Sequence, residues 1–242
     1  MTTHPSAPQR LYLMQVAARH VPEAPWPIPY PCYLVQMGDG QHILIDTGFP
    51  PNLPSRPGLQ SSKNVVEQLA LLDLQPDDID ILICTHFDLD HAGHHATFTN
   101  AELIVQRQHY ELARSGYPRF APARPMWDHP ALRYRLVDGD AALLPGIELL
   151  ATHGHTRGHQ SVLVRLPQTG PVLLTIDAVM AQSDFTRDRQ PSPLDDDTEG
   201  ELVRAGACKL IDVVAREQVA LIIFGHDGQQ WQTLKKAPDS YH

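Results

Sequence analysis

Residues 84–93 read Cys84-Thr85-His86-Phe87-Asp88-Leu89-Asp90-His91-Ala92-Gly93. The segment places His86, Asp88, Asp90 and His91 directly after the apolar run Ile79–Cys84. A short apolar run ended by polar residues reads as a buried strand. Carboxylates and imidazoles set this close repel or lose hydration unless a cation holds them. The segment therefore reads as the floor of a metal site. That constrains the fold, because a metal needs further ligands brought to the same place.

Other apolar runs end in the same way. Ile147–Thr152 is followed by His153-Gly154-His155-Thr156-Arg157-Gly158-His159, Val172–Ile176 by Asp177, and Val219–Phe224 by Gly225-His226-Asp227. Ligands carried on several strand ends can converge on one edge of a sheet, which gives a pre-organised site. A lone His226 is more often a hydrogen-bonded structural histidine. His94, His95, His109, His129 and His242 keep that structural reading, and His153 stays open between the two. The remaining runs, Leu11–Val16, Cys32–Met37, His42–Ile45, Glu102–Gln106 and Ser161–Leu166, also read as strands. Helical spacing covers Asn64–Leu74, Gln108–Ser115 and Thr198–Glu217. Gly116–Pro130 is Pro-rich and irregular, and reads equally as a substrate lid or as a surface excursion packed on the core. The run Asp195-Asp196-Asp197 reads as solvated charge at a helix N-terminus. With no repeat or linker, residues 1–242 are expected to form one domain, in layers of sheet covered by helices.

Composition narrows the partners. A formal charge of -9 argues against a nucleic-acid backbone, which calls for a basic surface. Cys32, Cys84 and Cys208 form no CxxC pair, so no disulfide framework is implied. No apolar run approaches membrane-spanning length, and the first ten residues lack the apolar stretch of a leader. A cytoplasmic protein acting on a small molecule is expected, away from membranes.

The ligand pattern resembles that of the metallo-β-lactamase superfamily, whose motif is HxHxDH followed by a His, an Asp and a His. Here these are His86, Asp88, Asp90 and His91, then His155, Asp177 and His226. Leu44-Ile45-Asp46-Thr47-Gly48 matches the superfamily's early Asp-x-Gly turn. The segments around His155, Asp177 and His226 look especially like the acyl-homoserine-lactonase branch. The resemblance implies an α/β fold, the four-layer αββα sandwich. It also implies two divalent metal ions, with zinc foremost. His86, Asp88 and His155 would hold one ion, and Asp90, His91 and His226 the other. Asp177 would bridge them, with His159 and Asp46 supporting from behind. The implied reaction is the opening of a lactone or related ester by a metal-bridging hydroxide, with Asp90 as proton shuttle. Monomers and homodimers are both compatible with this branch.

Two positions depart from the branch pattern. Asp88 stands where the hydrolases have His. A carboxylate is harder and more negative than imidazole, which favours iron or manganese over zinc. Flavodiiron relatives carry a carboxylate there, so a di-iron redox protein is the alternative reading. Hydrolysis of another ester class, thioester or phosphotriester, would use the same metals. Met180 stands where the lactonases place a Tyr thought to hydrogen-bond the lactone carbonyl. Either another donor replaces it or the substrate differs.

Overall fold

The computed structural model describes residues 6–22, 24–61 and 63–242. Met1–Pro5, part of the stretch read as lacking a leader, lie outside the described residues. Two sheets face each other. The first has seven strands: β1 (Pro8–Arg19), β2 (Ile28–Met37), β3 (His42–Ile45), β4 (Leu59–Ser61), β5 (Ile81–Ile83), β6 (Glu102–Gln106) and β7 (Arg133–Val137), in the order β4-β1-β2-β3-β5-β6-β7. The second has five: β8 (Ala141–Leu144), β9 (Ile147–Ala151), β10 (Gln160–Leu166), β11 (Gly170–Ile176) and β12 (Leu221–Phe224), in the order β12-β11-β10-β9-β8. Strands β3, β5, β6 and β7 run parallel, as do β11 and β12. Parallel neighbours carry their C-terminal ends, and the loops that leave them, to one edge.

Alternation along each strand builds the layers. Ile43, Ile45, Ile81, Ile83 and Ile104 of the first sheet pack against Ile147, Leu149, Val162, Val164 and Leu174 of the second. The intervening residues Leu34, Leu44, Leu82 and Leu103 point outward and meet Val65 and Leu69 of helix α1 (Val65–Ala70). On the far side, Leu163, Leu173 and Phe224 meet Ala207, Leu210 and Val213 of the long helix near the C-terminus (Glu201–Glu217). The result is helix, sheet, sheet, helix. Each fully buried Leu or Ile contributes about 1.5–3 kcal/mol by leaving water. Among the described residues no helix is long and apolar enough to cross a membrane.

Several elements differ from the sequence reading for local reasons. Helix α1 stops at Ala70, and Asp73 turns left-handed at φ 57 shortly after. The long helix starts at Glu201 because Gly200, at φ 81, breaks the winding before it. Strand β7 was not legible because its exposed arginines, Arg133 and Arg135, interrupt the apolar pattern at a sheet edge, where charge deters further pairing. Gly116–Pro130 is ordered: a 3-10 turn (Pro118–Ala123) leads into a short helix (Arg124–Trp127). Phe120 and Trp127 are buried there, and Trp127 stacks on Phe87 at 4.8 Å. The segment is core on one side and, at Arg119, site on the other.

Candidate metal centre

Each expected ligand lies just after a strand end, and the fold brings them together. His86–His91 come after β5, His155 and His159 lie between β9 and β10, Asp177 comes after β11, and His226 after β12. Two backbone features aim them. Ile176 is held at φ 52, an outlier for a β-branched residue, which turns the chain at Asp177. Gly225 passes so close that a Cβ would lie 2.3 Å from the Ile176 carbonyl oxygen, so a side chain there would push the β11 and β12 ends apart.

Ligand atoms from His86, Asp88 and His155 lie within 4.8 Å of one another, as do those from Asp90, His91 and His226. Asp177 faces both groups. Its Oδ2 lies 3.3 Å from His155 Nε2 and 3.8 Å from His86 Nε2; its Oδ1 lies 3.1 Å from His226 Nε2 and 3.5 Å from His91 Nε2. In all four histidines Nδ1 is engaged from behind. His91 Nδ1 donates to Asp46 Oδ2 at 2.8 Å, and His226 Nδ1 to the Pro29 carbonyl at 2.8 Å. His155 Nδ1 meets Asp195 Oδ1 at 3.3 Å, and His86 Nδ1 meets Thr85 Oγ1 at 3.0 Å. Such partners fix the tautomer and leave the Nε2 lone pair facing inward. His86 Nε2, His91 Nε2 and Asp177 Oδ1 are buried and make no hydrogen bond. An unpaired buried polar atom costs about 1–3 kcal/mol. Several aimed at one place fit a pair of cations.

The electrostatics agree. Burial would raise Asp177, but His226, His91 and His155 outweigh it and hold the carboxyl well below its usual range. Burial would raise Asp88 as well, but Arg119, His155 and His86 hold it well below. Burial would lower His91, yet Asp177, Asp90 and Asp46 hold it well above the ordinary range. His155 is pushed up to about 9, burial being outweighed by Asp177, Asp195 and Asp88. The ionised carboxylates raise His91, His155 and His226, whereas burial and the neighbouring His91 lower His86. The surplus negative charge favours a cation, which would take the place of a proton at Nε2.

Asp46 and His159 lie directly behind these groups. Asp46, also left-handed at φ 57, accepts from Thr85 N at 2.9 Å and Thr85 Oγ1 at 2.6 Å besides His91. His159 Nε2 accepts from the Asp177 backbone N–H at 3.2 Å, and its Nδ1 meets Thr152 Oγ1 at 2.9 Å. His153 Nδ1 accepts from Gly158 N, so it braces the turn rather than the site. His109 keeps a structural role: its Nε2 accepts from Phe87 N at 2.8 Å and its Nδ1 donates to the Arg157 carbonyl at 2.7 Å.

The acidic run is corrected. Asp195 is buried, pairing with Arg189 and His155. Asp196 pairs with Arg119 at 2.9 Å. Asp197 alone serves the helix N-terminus, accepting from Leu202 N and Val203 N. Sequence reasoning also missed Arg119, whose Nε donates to Asp88 Oδ1 at 2.7 Å and whose Nη2 donates to Oδ2 at 2.5 Å. The one available signal was Asp88 itself, a carboxylate where the branch pattern has a neutral imidazole.

Above these residues opens a cavity of about 380 Å3. Ile28, Phe49, Leu89, Met180 and Leu194 give it apolar walls, and Arg19 and Arg56 stand among its lining residues. Among the described residues that line it, Tyr30 alone carries a hydroxyl. Its ring packs edge-on against His226 at 5.1 Å and Phe49 at 4.8 Å. Burial and Asp90 raise its phenol above the ordinary range, against the pull of Arg19, so it stays a donor at neutral pH.

The metallo-beta-lactamase superfamily model matches residues 25–226, which span both ligand groups. The chain belongs to the metallo-β-lactamase superfamily. It is 34% identical over 228 residues to the N-acyl homoserine lactonase AiiA of Bacillus thuringiensis subsp. kurstaki, covering 88% of this chain and 86% of that one. It is 32% identical over 244 residues to the N-acyl homoserine lactonase AttM of Rhizobium johnstonii, covering 90% and 89%. Among solved structures, an N-acyl homoserine lactone hydrolase with the product N-hexanoyl-L-homoserine bound at its catalytic metal centre superposes with a TM-score of 0.82 at 28% identity, covering 97% of this chain and 100% of that chain. The αββα layering described above is thus the fold of this superfamily.

Proposed function

We propose that this chain is a two-metal lactonase that opens an N-acyl homoserine lactone or a similar cyclic ester. The observation that carries the reading is the convergence of four imidazole Nε2 atoms on the two oxygens of Asp177, at the floor of a largely apolar cavity. The likeness to two lactonases along most of the chain supports it. His86, Asp88 and His155 would hold one divalent ion, Asp90, His91 and His226 the other, and Asp177 would face both. Zinc is the leading metal. The bound pair would lower the pKa of a shared water and polarise a carbonyl oxygen.

The chain's own residues do the rest. Asp90 lies at the cavity floor with its carboxyl held below the ordinary range, because His91 and His226 outweigh its burial. It accepts the proton of the attacking water and returns it to the ring oxygen that leaves. Tyr30 donates a hydrogen bond to the substrate carbonyl, where Met180 has no hydroxyl to offer. Ile28, Phe49 and Leu194 take up an acyl chain by burying it.

The di-iron alternative rests on Asp88 as a hard carboxylate ligand, as in flavodiiron relatives. Here Arg119 forks onto that carboxylate, and the two relatives named above are lactonases, so hydrolysis is the better-supported reading. The deciding experiment is ring-opening of a panel of N-acyl homoserine lactones, monitored by pH-stat, with chelated and zinc-reconstituted protein. Zinc-dependent turnover is expected. A metal-loaded protein that opens no lactone, or an activity that survives chelation, would refute the reading.

A further inference from the structure

We propose that Arg119 makes the His86–Asp88–His155 position the weaker of the two cation sites, so that the metals load in order, the Asp90–His91–His226 position first. The inference rests on the two-metal reading above and concerns binding rather than turnover.

Arg119 sits on the 3-10 turn Pro118–Ala123 and is fixed from two sides. On the outer side Nη1 donates to Asp196 Oδ1 at 2.9 Å and to the Leu194 carbonyl at 2.8 Å. On the inner side the guanidinium grips Asp88 with a fork, Nε to Oδ1 at 2.7 Å and Nη2 to Oδ2 at 2.5 Å. Nη2 also lies 2.8 Å from His155 Nε2. Asp88 Oδ2 is the oxygen that faces the ring nitrogens of its own group, 3.2 Å from His155 Nε2 and 3.5 Å from His86 Nε2. Arg119 therefore engages the same oxygen and approaches the same nitrogen that a metal there must use. A guanidinium does not deprotonate in proteins, so it cannot yield by losing its charge.

The other group has no such neighbour. Asp90 Oδ2 lies 3.5 Å from His91 Nε2 and 3.9 Å from His226 Nε2, and among the described residues no Lys or Arg forms an ion pair with it. With the imidazoles in their neutral, ligating form, and leaving aside the shared Asp177 and the outer Asp196, Asp88 with Arg119 sums to zero while Asp90 keeps one negative charge. An incoming divalent ion is attracted less at the first than at the second, and the Arg119 guanidinium stands directly beside the oxygen it must reach. The pair Asp88–Arg119 thus stands in for a neutral imidazole in charge, but not in freedom to donate.

The test is a zinc titration of the chelator-stripped full chain, with a competing chelator to set free zinc and elemental counting of bound ions. Two steps are expected, the second on the order of 10–100-fold weaker, the range that residues supporting a metal ligand command. His226→Ala should abolish the tight step, and His155→Ala the weak one. Arg119→Gln should tighten the second step at least tenfold and leave the first unchanged. Should that variant fold poorly, Arg119→Lys, which keeps the charge but cannot fork onto Asp88, should shift the second step the same way by a smaller factor. Equal affinities in the unmodified protein, or a second step that neither variant tightens, would overturn the proposal. Stepwise loading without lactone turnover would leave it standing and remove the lactonase reading. Lactone turnover with two equal sites would do the reverse.

Discussion

Substitution of Asp46 should separate metal affinity from chemistry. Its carboxylate accepts three hydrogen bonds inside the protein, from Thr85 N, Thr85 Oγ1 and His91 Nδ1. In Asp46→Asn the amide oxygen can still take the Thr85 N–H. The amide NH2 then replaces Oδ2 and faces two donors. The Thr85 hydroxyl can rotate and accept. His91 cannot accept unless its proton moves from Nδ1 to Nε2, the atom aimed into the site. The variant should bind zinc about 10–100-fold more weakly at the Asp90–His91–His226 position. Loss of one hydrogen bond to a charged group costs about 1.5–3 kcal/mol. At about 2–4 °C per kcal/mol for a chain of this size, the chelated protein should melt roughly 3–12 °C lower. Asp46→Ala strands all three donors and should cost about 3–5 kcal/mol, as when one partner of a buried ionic network is removed. The assays are thermal unfolding in chelator and zinc competition by elemental analysis, with turnover then measured at saturating zinc. Turnover of Asp46→Asn should largely return once zinc saturates, because Asp46 touches no substrate. Wild-type zinc affinity in that variant would refute the tautomer argument. A rate that stays low at full zinc occupancy would refute the positioning role.

Other residues carry outcomes of their own. Tyr30→Phe should lower kcat for lactones by about 10-fold or more with metal content unchanged, if its hydroxyl stabilises charge developing on the carbonyl oxygen; an unaltered kcat sends the search to another donor. Asp88→His alone leaves Arg119 facing an uncharged ring, so bound zinc should fall toward one equivalent. Adding Arg119→Gln should restore the second, and full occupancy in the single variant would contradict this. His109 is lowered to about 3 by burial. Well above its ordinary value of 6.5 the folded and unfolded chains are both neutral there. As pH falls from about 6.5 towards 3, mainly the unfolded chain takes up the proton, so stability is lost with acidification, on the order of 5 kcal/mol in full. Urea unfolding of metal-free protein at neutral pH and at about pH 4.5 should show a smaller acid loss in His109→Gln, and an equal loss would remove His109 as its source.

The candidate metal ligands were legible because strand periodicity and ligand chemistry are both local signals. His86, Asp88, Asp90 and His91 lie within six residues, and each later candidate comes after an apolar run that reads as a buried strand. The sequence also marked Asp88 as the odd member of its motif and Met180 as a missing hydroxyl. The meaning of that oddity is decided by contacts with no spacing rule. Arg119 reaches Asp88 from a Pro-rich turn and Asp196 from a loop far along the chain, while Asp195 leaves an apparently solvated acidic run to hold His155. Tyr30 enters the cavity from β2, and its ring is placed against His226 only once the sheets are packed. Local chemistry names the donors that could bind a cation. Packing decides which charges stand beside them, and so how tightly each position can hold one.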